Sequence, residues 1–249
     1  MSFSRKVDLT IENSKFLIKT IEKEEELERV LNFRHKIFYE ELLNKTLIDK
    51  KDYDKFDLNY DHIIVIDKDI NEIISVCRLI TSNYVNDFYS EIEFNIDDLK
   101  KENDIKLELG RVCIHEKYRS GIVLYILWHG IHSYAKKENV TYIFGCSSIK
   151  TLDFYEVYKI TNYLNNNNFI LNTFNIFPRD KFKIKNLNDF KIDDDNVSIP
   201  SIFKSYLKIG AKVVKEPILD EDFRCVDFFT LLNFKNINKH IIRKFENNL

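Results

Sequence analysis

The sequence predicts a mixed α/β fold, and three observations point to it. Apolar runs of strand length alternate with segments of helical periodicity in the order βα–ββ–β–α–β–α, closing on two strands. Only 5 glycines and 3 prolines occur in 249 residues, too few for a loop-rich or repetitive all-β chain. The 44 % hydrophobic and 31 % charged residues are those of a folded chain with material for a large core.

Taken in order, "KFLIKTI" (15–21) reads as an opening strand. Residues 23–42 follow as a helix, with Leu27, Val30, Leu31, Ile37, Phe38 and Leu42 on its apolar stripe. An acidic loop (49–61) leads to two strands, "HIIVID" (62–67) and "IISVCRLI" (73–80), joined by the polar turn "KDINE". A variable stretch precedes a third strand, "LELGRVCIH" (107–115), and the apolar helix 122–137. Strand 142–149 and helix 152–164 come next, then an irregular polar excursion from 177 to about 200. A short helix (202–210) and the strands "AKVVKEPIL" and "CVDFFTLL" close the chain. No internal repeat is visible. The expectation is one domain over 1–249, with its core at about 15–235 and a carboxy-terminal elaboration.

Composition narrows the function classes. A net charge of −2 excludes a strongly basic nucleic-acid binder on whole-chain charge. The longest uninterrupted apolar run, "IVLYILW" (122–128), is 7 residues, far short of a membrane span. The amino terminus lacks the apolar core of a secretion signal. Cys77, Cys113, Cys146 and Cys225 form no C-x-x-C pair. The expectation is a cytoplasmic protein with reduced thiols, whose membrane contact, if any, is peripheral at the inner face.

Charged residues inside apolar elements carry the chemistry. In an ideal strand Glu108 and Arg111 face opposite sides. A bulge at Gly110 would bring them to one side, and an edge strand with one solvated charge is an equal alternative. Arg34 lies on the apolar stripe of its helix, and Arg78 shares a strand face with Ile74, Val76 and Ile80. Each alone fits a structural ion pair; together with Glu108 and Arg111 they point to a shared polar site. The acidic loop offers Asp49, Asp52, Asp54, Asp57 and Asp61, but Phe56 and Asp57 break the calcium-loop pattern. Its options are a solvated loop or recognition of an amine. Lys117, Arg119, Ser120 and Gly121 stand where strand 107–115 turns into a helix, a place that favours an anion. They lack the Walker A pattern. The histidines show no metal-ligand spacing, and no nucleophile elbow occurs.

The ordered motifs "FRHKIFYEEL", "DKFD" with "DH", "ISVCRLI", "ELGRVCIHEKYRSG…LWHGI" and "YIFGCSSI" resemble the bacterial ornithine lipid N-acyltransferases. The ending "YLKIGAKVVKEPILDEDFRCVDFFTLL" is similar to that family's as well. These proteins, sometimes named haemolysin-like, belong to the GNAT superfamily with the N-acyl-homoserine lactone and N-acyl amino acid synthases. The resemblance covers roughly residues 15 to 235.

It implies a GNAT-like mixed central sheet with splayed strands, 107–115 and 142–149, and flanking helices. It implies an N-acyltransferase moving a 3-hydroxyacyl chain from acyl carrier protein to the α-amino group of an amino acid, L-ornithine first, to give lyso-ornithine lipid. The donor is the acyl-pantetheine of the carrier protein; no metal and no further cofactor are implied. Glu108 and Arg111 become the catalytic residues, and Arg34, Phe38, Asp54, Asp57 and Arg78 the substrate-binding ones. Cys113, Arg119, Ser120, Gly121 and Ser147 fall to the acyl-pantetheine. Lys117, Arg119, Lys204, Lys208, Lys212, Lys215 and "RDKFKIK" (179–185) offer a basic docking surface for an acidic carrier. The nearest alternative is an N-acyl-homoserine lactone synthase or another N-acyl amino acid synthase. A non-catalytic lipid- or acyl-carrier-binding protein is the alternative of a different class.

Overall fold

The computed structural model describes residues 2–119, 121–184, 187, 190 and 197–237. In chain order the strands are β1 (Thr10–Glu12), β2 (Phe16–Thr20), β3 (Asp61–Asp67), β4 (Glu72–Thr81), β5 (Phe94–Asn95), β6 (Lys106–Ile114), β7 (Tyr142–Ile149), β8 (Phe177–Pro178), β9 (Lys212–Val213), β10 (Ile218–Asp220) and β11 (Cys225–Asn233). The helices are α1 (Glu24–His35), α2 (Asp97–Lys100), α3 (Ile122–Lys137), α4 (Phe154–Asn166) and α5 (Ser201–Lys208). The described residues divide into two compact units, 2–85 with 107–140 and 86–106 with 141–237.

In the first unit β2 pairs antiparallel with β1 and β3, β3 with β4, and β4 with β6. All seven residues of β3 are buried, because the strand is covered on both faces. Alternation sorts them. Ile64 and Ile66 join Leu27, Val30 and Leu31 of α1 in one cluster. Ile63 and Ile18 meet α3 on the other side, so closely that a Cβ built at Gly130 would lie 2.7 Å from Ile18 Cγ2. That contact is the reason a glycine stands in the middle of this helix. In the second unit β11 lies between β7 and the short strands β9 and β10. Helices α4 and α5 pack Val157, Ile160, Leu164, Phe203 and Leu207 against Val226 and Phe228. Phe144 and Phe229 stack at 5.6 Å, with Phe88 and Phe94 edge-on or tilted against them.

Some elements differ from the sequence reading. The helix expected over 23–42 is α-helical only to His35 and continues as a π-helical segment, Lys36–Leu42. A seven-residue run holds fewer than two turns of a π-helix, too few for its longer period to show in the apolar pattern. The strand expected at 211–219 is two short ones, β9 and β10, flanking the turn with Pro217. The stretch 82–106 holds β5 and α2, too short for a periodic signal, and β8 of the excursion pairs with β5. Positions 185, 186, 188, 189 and 191–196 of the excursion lie outside the described residues.

Candidate active site

The polar site lies in the first unit and is built from the last turn of α1, the loop into β3, and the facing strands β4 and β6. From α1, Arg34 donates through Nε to Asp52 Oδ2 at 2.7 Å and through Nη1 to Asp57 Oδ1 at 2.6 Å. From β4, Arg78 Nη1 donates to Asp54 Oδ1 at 2.6 Å and to Asp57 Oδ1 at 2.9 Å. From β6, Arg111 Nη2 donates to Asp54 Oδ2 at 3.2 Å, and its Nε stands 3.3 Å from Asp52 Oδ2. Three guanidinium groups therefore meet three carboxylates, and the charge balances. The loop is shaped by the same aspartates: the Asp54 N–H donates to Asp57 Oδ2, and the Phe56 N–H to Asp54 Oδ1.

Burial grades this cluster. The side chains of Arg34 and Asp57 are 0 % exposed and Arg78 1 %, whereas Arg111 is 14 % and Asp54 23 % exposed. Burial alone would raise the Asp57 carboxyl, but Arg34 and Arg78 outweigh it and hold Asp57 well below the usual carboxylate range. Burial and Arg111 would lower Arg78, but Asp57 and Asp54 more than compensate and keep it charged.

Strand β6 carries the bulge that makes the convergence possible. Arg78 pairs with Gly110 and Val76 with Cys113, so β6 spends three steps where β4 spends two. The bulge falls just past Gly110, and Arg111 itself takes the left-handed conformation, φ 51°. That conformation costs on the order of 1–2 kcal/mol for a side-chain-bearing residue. It turns the guanidinium to the acidic loop. Glu108, opposite Ile80, shares the face of Arg78's partner Gly110 and accepts from Tyr60 Oη at Oε2, 2.8 Å. Glu108 is 2 % exposed. Glu108 and Arg111 thus both engage the 52–60 loop, which favours the bulged strand over the edge strand.

His62 sits beneath the cluster, fully buried, with Nε2 3.0 Å from the Asp57 carbonyl oxygen. A carbonyl only accepts, so Nε2 carries the proton, and Nδ1 has no hydrogen-bond partner among the described residues. Burial and the charges of Arg34 and Arg78 push its pKa down to about 4. Because the folded value lies below the usual 6.5, protonation favours the unfolded chain. His62's contribution to stability is complete above pH 6.5 and lost as pH falls towards 4, on the order of 3 kcal/mol. Urea midpoints measured from pH 8 to pH 4 should fall across that window. In His62→Gln the fall should be shallower by that contribution, and an equal fall in both proteins would refute the assignment.

Residues 33–129 match the family described as the acetyltransferase (GNAT) domain. Two curated relatives are L-ornithine N(alpha)-acyltransferases. The one from Brucella abortus (strain 2308) is 26 % identical over 84 % of this chain and 81 % of its own length. The one from Rhizobium meliloti (strain 1021) is 26 % identical over 86 % and 78 %. The chain is similar to these acyltransferases and carries a match to the GNAT domain. Among solved structures, the chain is similar to TofI in an apo form, at TM-score 0.53 with 9 % identity over 98 % of both chains. It is also similar to the CoA-dependent acyl-homoserine lactone synthase BjaI with MTA, at TM-score 0.52 with 11 % identity over 90 % of this chain and 82 % of that one. At such identities the likeness is one of fold, and it agrees with the GNAT-like architecture expected from the sequence.

Of the residues singled out in the sequence, the structure brings together Arg34, Asp54, Asp57, Arg78 and Arg111, with Glu108 joined through Tyr60. Phe38 is not among them: it packs, half-buried, on the apolar cluster under α1. Cys113 lies in that same cluster, and burial pushes its thiol up, out of the range of a reactive thiolate. Arg119 is held by the Ile114 carbonyl at 3.0 Å and by both oxygens of Glu41. Gly121 opens α3 at φ 103°, a conformation that favours glycine, and Ser120 lies outside the described residues. Ser147, in the second unit, accepts from Thr230 Oγ1 at 2.8 Å and is 5 % exposed. Two site members were missed. Asp52 was visible only as one aspartate of a run, and Tyr60 had no signal beyond its place in that loop.

Proposed function

We propose that the acyltransferase moves a 3-hydroxyacyl chain from the pantetheine of acyl carrier protein to the α-amino group of L-ornithine, giving lyso-ornithine lipid. The observation that carries this reading is the partly exposed pair Arg111 and Asp54 at the rim of an otherwise sealed charge cluster, with Glu108 tied to the same loop through Tyr60. An amino acid with a cationic side chain brings a carboxylate, a second ammonium and the reacting amine. A guanidinium, a carboxylate and a base answer those three groups in turn. The names of the curated relatives agree.

Pairing divides the roles. Arg34, Asp57 and Arg78 are committed to one another, Asp57 accepting from both arginines, so their part is to hold the rim. Arg111 pairs with the substrate carboxylate and Asp54 with the side-chain ammonium. Glu108 takes the proton as the amine nitrogen bonds to the thioester carbonyl carbon. An α-amino group ionises at about pH 8, so a modest base suffices. A backbone N–H holds the tetrahedral oxyanion, the C–S bond breaks, and the pantetheine thiolate leaves to be protonated. A Cβ at Gly110 would meet nothing within 4 Å, which leaves room on this face of β6 for a ligand.

The acidic carrier docks through lysines. Lys117 and, on α5, Lys204 and Lys208 are exposed. Lys212 is turned to the Asn168 carbonyl and the Phe169 ring and contributes less. No helix among the described residues is long and apolar enough to cross a membrane; delivery of the lipid product requires a peripheral contact at the inner membrane face.

The test is expression in a host without ornithine lipids, followed by mass spectrometry of its lipids and medium. A new N-(3-hydroxyacyl)ornithine is expected. A homoserine lactone in the medium, an acyl chain on a different amino acid, or no acylated amine would overturn the reading.

A further inference from the structure

Tyr60 is a buried group that touches both Glu108 and the charge cluster. Its side chain is 2 % exposed, and its hydroxyl donates to Glu108 Oε2 at 2.8 Å. The ring is held on two sides. Phe56 meets it edge-on, with centroids 5.4 Å apart and planes at 72°. The Arg78 guanidinium carbon lies 5.4 Å from the ring centroid, within cation–π range. Arg78 in turn is anchored by Asp54 and Asp57. A continuous set of contacts therefore runs from Asp57 through Arg78 and Tyr60 to Glu108, and its last member is the group proposed to take the proton.

We propose that Tyr60 is a positioning residue for acyl transfer: anchored by the arginine–aspartate cluster, it aims its hydroxyl at Glu108 and stabilises the carboxylate in its charged form. The inference rests on the reading of Glu108 as the base. It gives the paired interior of the cluster a task beyond stability, because a guanidinium committed to Asp54 and Asp57 also orients the phenol that sets the base. A tyrosine hydroxyl donating to a carboxylate favours the ionised form, by roughly one pH unit for each such donor. A phenylalanine at this position keeps the ring, its contact with Phe56 and its place over Arg78. Only the donor goes.

The experiment is kcat/KM against pH for the wild type, Tyr60→Phe, Glu108→Gln and the double variant, with 3-hydroxyacyl–acyl carrier protein and L-ornithine as substrates and N-acylornithine read by mass spectrometry. For Tyr60→Phe the acid limb should move up by roughly one pH unit. The loss should be about tenfold below the limb and should shrink as pH rises. On the Glu108→Gln background, Tyr60→Phe should cost nothing further, since the group it serves is gone. Equal loss at every pH would mark Tyr60 as merely structural and overturn the proposal. So would an unmoved profile, or a loss as large in the double variant as in the single. The base assignment fails separately: a wild-type profile for Glu108→Gln would refute it without reference to Tyr60. Thermal melting of Tyr60→Phe, expected within a few degrees of the wild type, separates a shifted profile from a damaged fold.

Discussion

Asp57→Asn should lower the stability of the protein by about 3–5 kcal/mol, the cost of breaking a buried ion pair from one side. Asp57 accepts from Arg34 at 2.6 Å, from Arg78 at 2.9 Å and from the Asp54 N–H at 2.7 Å, and it is 0 % exposed. Asparagine removes the charge and turns an amide donor towards groups that only donate. Two buried guanidinium groups would then share Asp52 and Asp54. The sign of the pH dependence follows from the lowered Asp57 value. A carboxyl whose folded pKa is depressed stabilises fully above its ordinary value of 3.8, and that contribution drains away as pH falls below it. Urea midpoints should therefore differ widely between wild type and variant at pH 7, and the gap should narrow at pH 3. A gap under about 1 kcal/mol at pH 7 would mean that the cluster is far better hydrated than its burial implies.

Glu108→Gln should reduce kcat/KM by about 10²–10⁴-fold, the usual worth of a positioned general base. The substitution is nearly isosteric, and the glutamine oxygen can still accept from Tyr60, so the fold should be retained. The amine supplies its own neutral form above about pH 8, so the ratio of wild-type to variant rates should shrink there. A variant as active as the wild type across that range would remove Glu108 from the chemistry. It would leave Glu108 the role of holding the bulged strand against the 52–60 loop.

The two predictions draw on information of different kinds. Arg34, Arg78, Glu108 and Arg111 stand out in the sequence because a charge in an apolar element is costly unless it is paired. That argument needs only the periodicity of one helix and two strands, and those elements lie where periodicity places them. It could not say which aspartate answers which arginine. The run from Asp49 to Asp61 supplies five carboxylates on a loop, and a loop has no period from which to read direction. The folded loop selects three of the five. Asp61 goes elsewhere, accepting from the Lys6 and Val7 N–H groups and from Tyr134.

Short elements were illegible for a related reason. β5, α2 and β8 span two to four residues, barely one repeat of their own pattern, and exist through the contacts around them. Phe38 and Cys113 were assigned to the site by resemblance, and both prove to line the apolar cluster under α1. Aromatic and thiol side chains at apolar spacing carry no sign of which side of a strand or helix the chemistry will take.

By itself, then, the sequence determined the order of the elements, the resemblance to acyltransferases and the presence of charges that had to find partners. Only the tertiary structure decided the pairing, the sealing of Arg34, Asp57 and Arg78, the exposure of Arg111 and Asp54, and the seat of Tyr60 against Glu108. The physical reason is range. Periodicity and propensity act between residues a few positions apart, whereas Arg34 to Asp57, Asp54 to Arg111 and Tyr60 to Glu108 are joined across 23, 57 and 48 positions. In the stretch "ELGRVCIH" the acid and the arginine can be read from the letters. That they turn to the same loop follows from a bulge set by the register of β4 against β6.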